Sequence, residues 1–261
     1  MRYNEIDLAR QGPVARITLN RPDRLNALTV GLLKELQAAL AGLAADPQTR
    51  VVVLTGAGDQ AFVAGADIKE LAAMSAPQFR DLSLEIMRTI QQIMAHPQPV
   101  IGALNGHALG GGLALARACD IVVAVEDAWL GQPEINLGIY GGSFGLHLYI
   151  GKVRAWEMVL LGESVTARQA EAMGLINRAV PREALWAAVD GLVDKLLAKS
   201  PAALAQAKRS LKVSLEHGME LGGWYQAENV SLLLDGPEQR EAMQAWLEKR
   251  PPHFAARRHK S

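Results

Sequence analysis

The chain has 261 residues, 49% of them apolar and 21% charged, and its 27 Lys+Arg are matched by 27 Asp+Glu. That length buries a large core, and a zero net charge excludes a broad nucleic-acid surface, which needs excess positive charge over many phosphates. The single cysteine (Cys119), the lack of any Cys/His cluster at zinc spacing, and the lack of a signal region or bilayer-length apolar run set the expectation: a cytoplasmic protein with no disulfide, no metal, no membrane and no nucleic-acid partner.

In chain order, strand and helix signals alternate through the first half. Residues 14–19, Val-Ala-Arg-Ile-Thr-Leu, are rich in β-branched side chains and stop at Asn20-Arg21-Pro22-Asp23. A helix is expected from Thr29, because Leu32, Leu33, Leu36, Leu40 and Leu43 share one face. Val51-Val52-Val53-Leu54 reads as a strand buried on both sides, turned by Thr55-Gly56-Ala57-Gly58. Phe79, Leu82, Ile86, Ile90 and Ile93 recur at helical spacing until Pro97 and Pro99. Residues 100–104 and 121–125 read as two more buried strands. Strand, crossover helix and strand imply parallel pairing with a right-handed connection. Beyond about residue 150 helical patterns dominate, over 154–161, 167–173, 183–199, 202–216, 221–234 and 237–249, with one strand signal at 175–180. The expected class is α/β with a helical C-terminal region, and Arg257-Arg258-His259-Lys260 reads as a solvated end.

Two segments have the composition of backbone anion donors. Gly106-His107-Ala108-Leu109-Gly110-Gly111-Gly112 opens an alanine-rich helix. Glycines let a ligand approach the backbone, and N–H groups at a helix start have no intrahelical partner. Such a turn suits an oxygen that becomes anionic during reaction, although a glycine run also serves tight helix–strand packing. Phe62-Val63-Ala64-Gly65-Ala66-Asp67-Ile68 follows a strand signal in the same way. The acid–base candidate is Glu134, in Gly131-Gln132-Pro133-Glu134-Ile135-Asn136-Leu137-Gly138, where apolar neighbours would desolvate a carboxylate and make it a better base. Ser143 and His147 lack a nucleophile-elbow pattern, and Cys119 reads as a buried small residue.

Together these motifs resemble the crotonase superfamily, the enoyl-CoA hydratase/isomerase family. The resemblance is carried by Leu19-Asn20-Arg21-Pro22 with Asn26-Ala27-Leu28, by residues 62–68, by Asn105-Gly106 with Ala108-Leu109-Gly110-Gly111-Gly112, and by Cys119-Asp120-Ile121. It continues through Gly131-Gln132-Pro133-Glu134 with Leu137-Gly138, Ala170-Glu171-Ala172-Met173-Gly174-Leu175-Ile176, and Phe254 after Leu247-Glu248-Lys249-Arg250. The resemblance implies a spiral of ββα units over 1–195, and a helical region over 196–261 that builds homotrimers or hexamers. It implies an acyl-CoA thioester as substrate and no separate cofactor. It places the thioester oxygen on the N–H groups of Ala66 and Gly111, and the CoA moiety near Arg24, Ala64, Asp67, Ile68, Lys249 and Phe254.

Two departures bear on the reaction. Family hydratases carry a second glutamate where this chain has Ala114, so the resemblance implies double-bond isomerisation by Glu134 alone ahead of hydration. The alternatives are a hydratase or related lyase on an atypical acyl-CoA, and a non-catalytic scaffold. The loop Gly138-Ile139-Tyr140-Gly141-Gly142-Ser143-Phe144 is also shorter than the family's, which makes Tyr140 and His147 candidate pocket residues that could supply a missing proton donor.

Overall fold

The computed structural model describes residues 3–254. Strands Ile6–Gln11 (β1) and Val14–Leu19 (β2) pair as an antiparallel hairpin. Val30–Ala45 (α1) follows, its start capped by Thr29, whose side-chain oxygen accepts the Leu32 N–H at 3.0 Å. The five leucines expected on one face of this helix are all buried.

Three successive turns of chain then share one plan: a long strand, a corner, a short strand and a helix. The first runs Val51–Gly56 (β3), Ala61–Val63 (β4), Ile68–Ala73 (α2) and Ala76–Ala95 (α3). The second runs Val100–Leu104 (β5), His107–Leu109 (β6) and Gly111–Ala118 (α4). The third runs Ile121–Val125 (β7), Trp129–Gly131 (β8), a 3-10 turn Pro133–Leu137 and Leu146–Leu161 (α5). Ser164–Thr166 (β9), Ala167–Ala172 (α6) and Arg178–Val180 (β10) complete two sheets. Their strand orders are β1-β2-β3-β5-β7-β10 and β4-β6-β8-β9. From β2 to β10 the larger sheet is parallel, as the crossover argument requires. The result is a spiral of ββα units.

The corners are held by buried amides. Asn105 accepts the Gly56 N–H at 3.0 Å and donates to the Gly58 carbonyl at 2.8 Å, while Asn26 donates to the carbonyls of Ala57 and Ala61, both at 2.9 Å. At Gly106 a Cβ would stand 2.2 Å from the Gln60 carbonyl oxygen, so only glycine fits.

Leu185–Leu197 (α7) packs back on the larger sheet. Pro201–His217 (α8) and Met219–Leu234 (α9) form a helical pair, followed by Pro237–Leu247 (α10). Lys208 ties α8 to the core through Asp120 (2.7 Å) and the Ile93 carbonyl (3.0 Å). The strand expected at 175–180 is shorter than its signal: Leu175 and Ile176 are buried in the turn after α6, and pairing begins at Arg178. The basic tail lies outside the described residues.

Candidate active site

The segment after β4 is pinned by the loop that precedes α1. The Ala64 N–H donates to the Leu25 carbonyl at 3.1 Å, and the Leu28 N–H donates to the Gly65 carbonyl at 2.8 Å. Leu28 and Ala66 form a parallel bridge. In a parallel bridge of this kind the residues flanking Ala66 bond to Leu28, so the N–H of Ala66 itself points to the other side. Asp67 then caps α2, its Oδ1 accepting the N–H groups of Lys69 (3.0 Å) and Glu70 (3.3 Å). Burial pushes the Asp67 carboxyl up, but those bonds and the charges of Arg24 and Arg21 outweigh it and hold the group below the usual range. Ile68 is exposed, Ala64 is half-buried, and the exposed Arg24 is close enough to act on the buried Asp67, so these residues form a rim in the segment around Ala66.

The second segment packs on the first. A Cβ on Gly112 would meet the Val63 carbonyl oxygen at 2.1 Å, and one on Gly65 would lie 3.5 Å from the Leu109 carbonyl oxygen. These glycines let the start of α4 press against the end of β4. Gly110 turns the chain with φ 54°, and its N–H is taken by the Gly131 carbonyl at 2.9 Å. The next N–H, that of Gly111, stands in the first turn of α4, where no intrahelical acceptor exists. Among the described residues no turn or loop backbone bond takes up the N–H of Ala66 or of Gly111. Leu28 and Ile86 crowd Gly111 with apolar surface.

Glu134 lies on the 3-10 turn after β8, not directly after the strand ending at Val125 as its position in sequence implies. Its Oε1 is 2.6 Å from where a Cβ on Gly110 would sit, and 3.6 Å from the same point on Gly141. Its Oε2 is buried and has no hydrogen-bond partner. Burial pushes this carboxyl up to about 7, against a weaker downward pull from its own backbone. A half-buried carboxylate that titrates near neutrality thus lies one residue from a helix start with an open N–H.

Other expected residues are placed differently. Ala114 is buried one turn into α4 and offers no ionisable group. Tyr140 is 79% exposed, and His147 is exposed with its ring edge-on to Trp156 at 6.1 Å. Neither hydrogen-bonds Glu134: the loop is exposed at Tyr140, while Gly141, Gly142 and Ser143 are half-buried. Lys249 is exposed beyond α10. The Phe254 carbonyl accepts from Arg50 at 3.5 Å, and Arg50 precedes β3, at the opposite end of that strand from the Gly111 turn. Within this single chain neither residue joins the site.

Several residues that shape the site were not singled out from sequence. Arg21 pairs with Glu5 (2.9 Å) and Glu70 (3.5 Å) and donates to the Ala27 carbonyl at 2.7 Å, fastening the rim. Gln132 donates to the carbonyls of Gly110 (3.3 Å) and Gly142 (3.2 Å). Arg117 is buried in α4, and its one sequence signal is a charge inside an alanine-rich helix.

A family model described as enoyl-CoA hydratase/isomerase matches residues 9–257. The chain belongs to the enoyl-CoA hydratase/isomerase family. The short-chain-enoyl-CoA hydratase of Clostridium acetobutylicum is 32% identical over 253 residues, covering 96% of this chain and 97% of that protein. The 2,3-dehydroadipyl-CoA hydratase of Escherichia coli is 39% identical over 261 residues, covering 97% and 100%. The crystal structure of an enoyl-CoA hydratase from Bacillus anthracis superposes with a TM-score of 0.93 at 35% identity, covering 97% of this chain and all of that one. The family match takes in all three segments built above, so the spiral and its C-terminal helices are those of the enoyl-CoA hydratase/isomerase family. Among the described residues of this member, no cluster of side chains suits a metal ion and no helix is long and apolar enough to cross a membrane.

Proposed function

We propose that this chain adds water across the conjugated double bond of an enoyl-CoA thioester. The observation that carries the reading is the Glu134 carboxyl, pushed to about 7 and packed on the turn that opens α4. The thioester oxygen accepts from the N–H groups of Ala66 and Gly111. Glu134 takes a proton from water as the water oxygen bonds to the β-carbon, and the double-bond electrons pass to the thioester oxygen as an enolate. Glu134 then returns the proton to the α-carbon, and the carbonyl re-forms. Each main-chain donor contributes about 2.7–4 kcal/mol to the transition state, and proton transfer by the carboxylate contributes about 10²–10⁴-fold. The rim formed by Arg24, Ala64, Asp67 and Ile68 is assigned to the CoA moiety.

The names of the relatives support hydration ahead of the isomerisation inferred from Ala114. Isomerisation is kept as the second reading because of that one residue: a single carboxylate suffices to move a proton between two carbons of a β,γ-unsaturated thioester. Incubation in ¹⁸O-labelled water separates them, since hydration places label in a hydroxyacyl product and isomerisation places none. Glu134→Gln is expected to lose about 10²–10⁴-fold in turnover. Full activity in that variant overturns both readings.

The C-terminal helices expose Trp224 (68%), Leu232 (71%) and Trp246 (81%), an apolar surface assigned here to self-association as a trimer or a pair of trimers. This surface would bring the Lys249 and Phe254 segment of one copy towards the CoA rim of another. Sedimentation that gives only monomer at micromolar concentration overturns the assignment.

A further inference from the structure

Arg117 is 7% exposed, and no carboxylate is among the groups that act on it. A buried guanidinium without a counter-charge is costly unless its N–H groups are bonded. Here Nη2 donates to the Gly142 carbonyl at 2.5 Å, and Nη1 and Nη2 both donate to the Phe144 carbonyl at 3.2 Å. The guanidinium also lies over the rings of Phe144 (5.8 Å) and Tyr149 (5.4 Å). Its Nε has no partner, and every hydrogen bond made by Nη1 and Nη2 goes to a single loop, 138–145.

That loop has little to hold it. It contains Gly138, Gly141, Gly142 and Gly145, three of them with positive φ, and glycine loses the most conformational freedom on ordering. Its own backbone bonds lie at its ends: Gly138 to Ile135 (3.0 Å), Ile139 to Glu134 (3.4 Å), Leu146 to Ser143 (3.1 Å) and Leu148 to Gly145 (3.0 Å). The middle is tied to the body by Arg117 and by Gln132, which donates to the same Gly142 carbonyl and to that of Gly110. Next to Gly142, Gly141 faces the carboxylate: a Cβ on Gly141 would lie 3.6 Å from Glu134 Oε1, in ordinary contact.

We propose that Arg117 is a positioning residue, which closes the glycine-rich loop over Glu134 by holding the carbonyls of Gly142 and Phe144 and so keeps bulk solvent, beyond the one reacting water, off that carboxylate. The proposal rests on the reading of Glu134 as the proton carrier. No ionisable neighbour supplies the effect directly: Arg117 on α4, Tyr140 on the loop and His147 on α5 contribute nothing to the raised proton affinity of Glu134, which comes from burial. An apolar side chain at 117 would fill the space without donating, whereas lysine would donate from one point.

The test compares wild type, Arg117→Leu, Arg117→Lys and Gly142→Ala as full chains. It measures amide exchange of the loop and the pH dependence of kcat/KM on an enoyl-CoA. For Arg117→Leu, loop exchange is expected to quicken about tenfold or more. The acid limb of kcat/KM should move down by about one pH unit or more as Glu134 is hydrated. KM should change less than about twofold while kcat falls. Arg117→Lys is expected to restore part of each effect. Gly142→Ala loosens the loop from its other side, because the residue has φ 62° and a Cβ there would lie 2.8 Å from Gln132 Oε1. It should shift the limb in the same direction, and it decides the matter if Arg117→Leu does not fold. Folded variants whose loop exchange is unchanged, or whose acid limb stays at the wild-type value, overturn the role of Arg117 alone. A wild-type profile with no acid limb near neutrality overturns the reading of Glu134, and the positioning role falls with it.

Discussion

Gly110 and Glu134 are packed so closely that a single methyl group on Gly110 would stand 2.6 Å from the Glu134 Oε1 oxygen. Gly110 also needs φ 54° to open α4. Gly110→Ala should therefore strain the turn and displace the carboxylate together. Misplacement of a reacting group by about 1 Å costs about 10²-fold in rate. Steady-state kinetics on an enoyl-CoA are expected to show a fall of that order in kcat, and a rate equal to wild type would mean that the contact is irrelevant to the reaction.

The raised proton affinity of Glu134 has consequences for both rate and stability. The base form is needed, so kcat/KM should rise as pH rises through about 7. For stability the folded state keeps its proton up to about 7, whereas an unperturbed carboxyl releases it near 4.5. Between those values the folded state binds more protons, so stability declines with rising pH and the whole deficit is present above the upper one. It amounts to at most roughly 3 kcal/mol at 1.36 kcal/mol per unit. Chemical denaturation of Glu134→Gln should show it more stable than wild type above pH 7 and no different below 4.5. An equal difference at both ends would remove the linkage.

Ala114 is 1% exposed, at the position where the family resemblance implies a second acid. Ala114→Glu should lower the melting temperature, because a buried carboxylate without a partner is costly. It should also raise the ratio of hydroxyacyl to isomerised product when both are resolved by chromatography. A ratio unchanged in a folded variant would show that position 114 does not face the substrate.

Gly112 allows α4 to sit against β4, since a Cβ there would meet the Val63 carbonyl oxygen at 2.1 Å. Backbone cannot yield as a flexible side chain does. Gly112→Ala is expected to cost about 1–3 kcal/mol or more, read as a lower melting temperature, and to spread the Ala66 and Gly111 segments apart. Melting at the wild-type temperature would show that this approach is loose.

The longer elements were legible in the sequence because each carries its own period. The leucine stripe of α1 and the apolar runs of β3, β5 and β7 appear where expected. The short strands β6, β8 and β9 were not legible, and β4 gave only a bare strand signal, since three residues hold no period and their pairing partners lie in another turn of the spiral. Asn26 and Asn105 stood in the motifs, but their work at the corners is visible only once the strands bend.

The sequence by itself determined which chemical groups stand in the proposed site: small residues at the two proposed main-chain donors, one carboxylate at Glu134 and none at Ala114. Tertiary structure alone decided that this carboxylate is desolvated, that Tyr140 and His147 lie outward, and that Arg117 grips the loop beside it. The reason is that residue type is a local property. Burial, and the proton affinity that follows from it, is set by segments that meet only when the spiral closes.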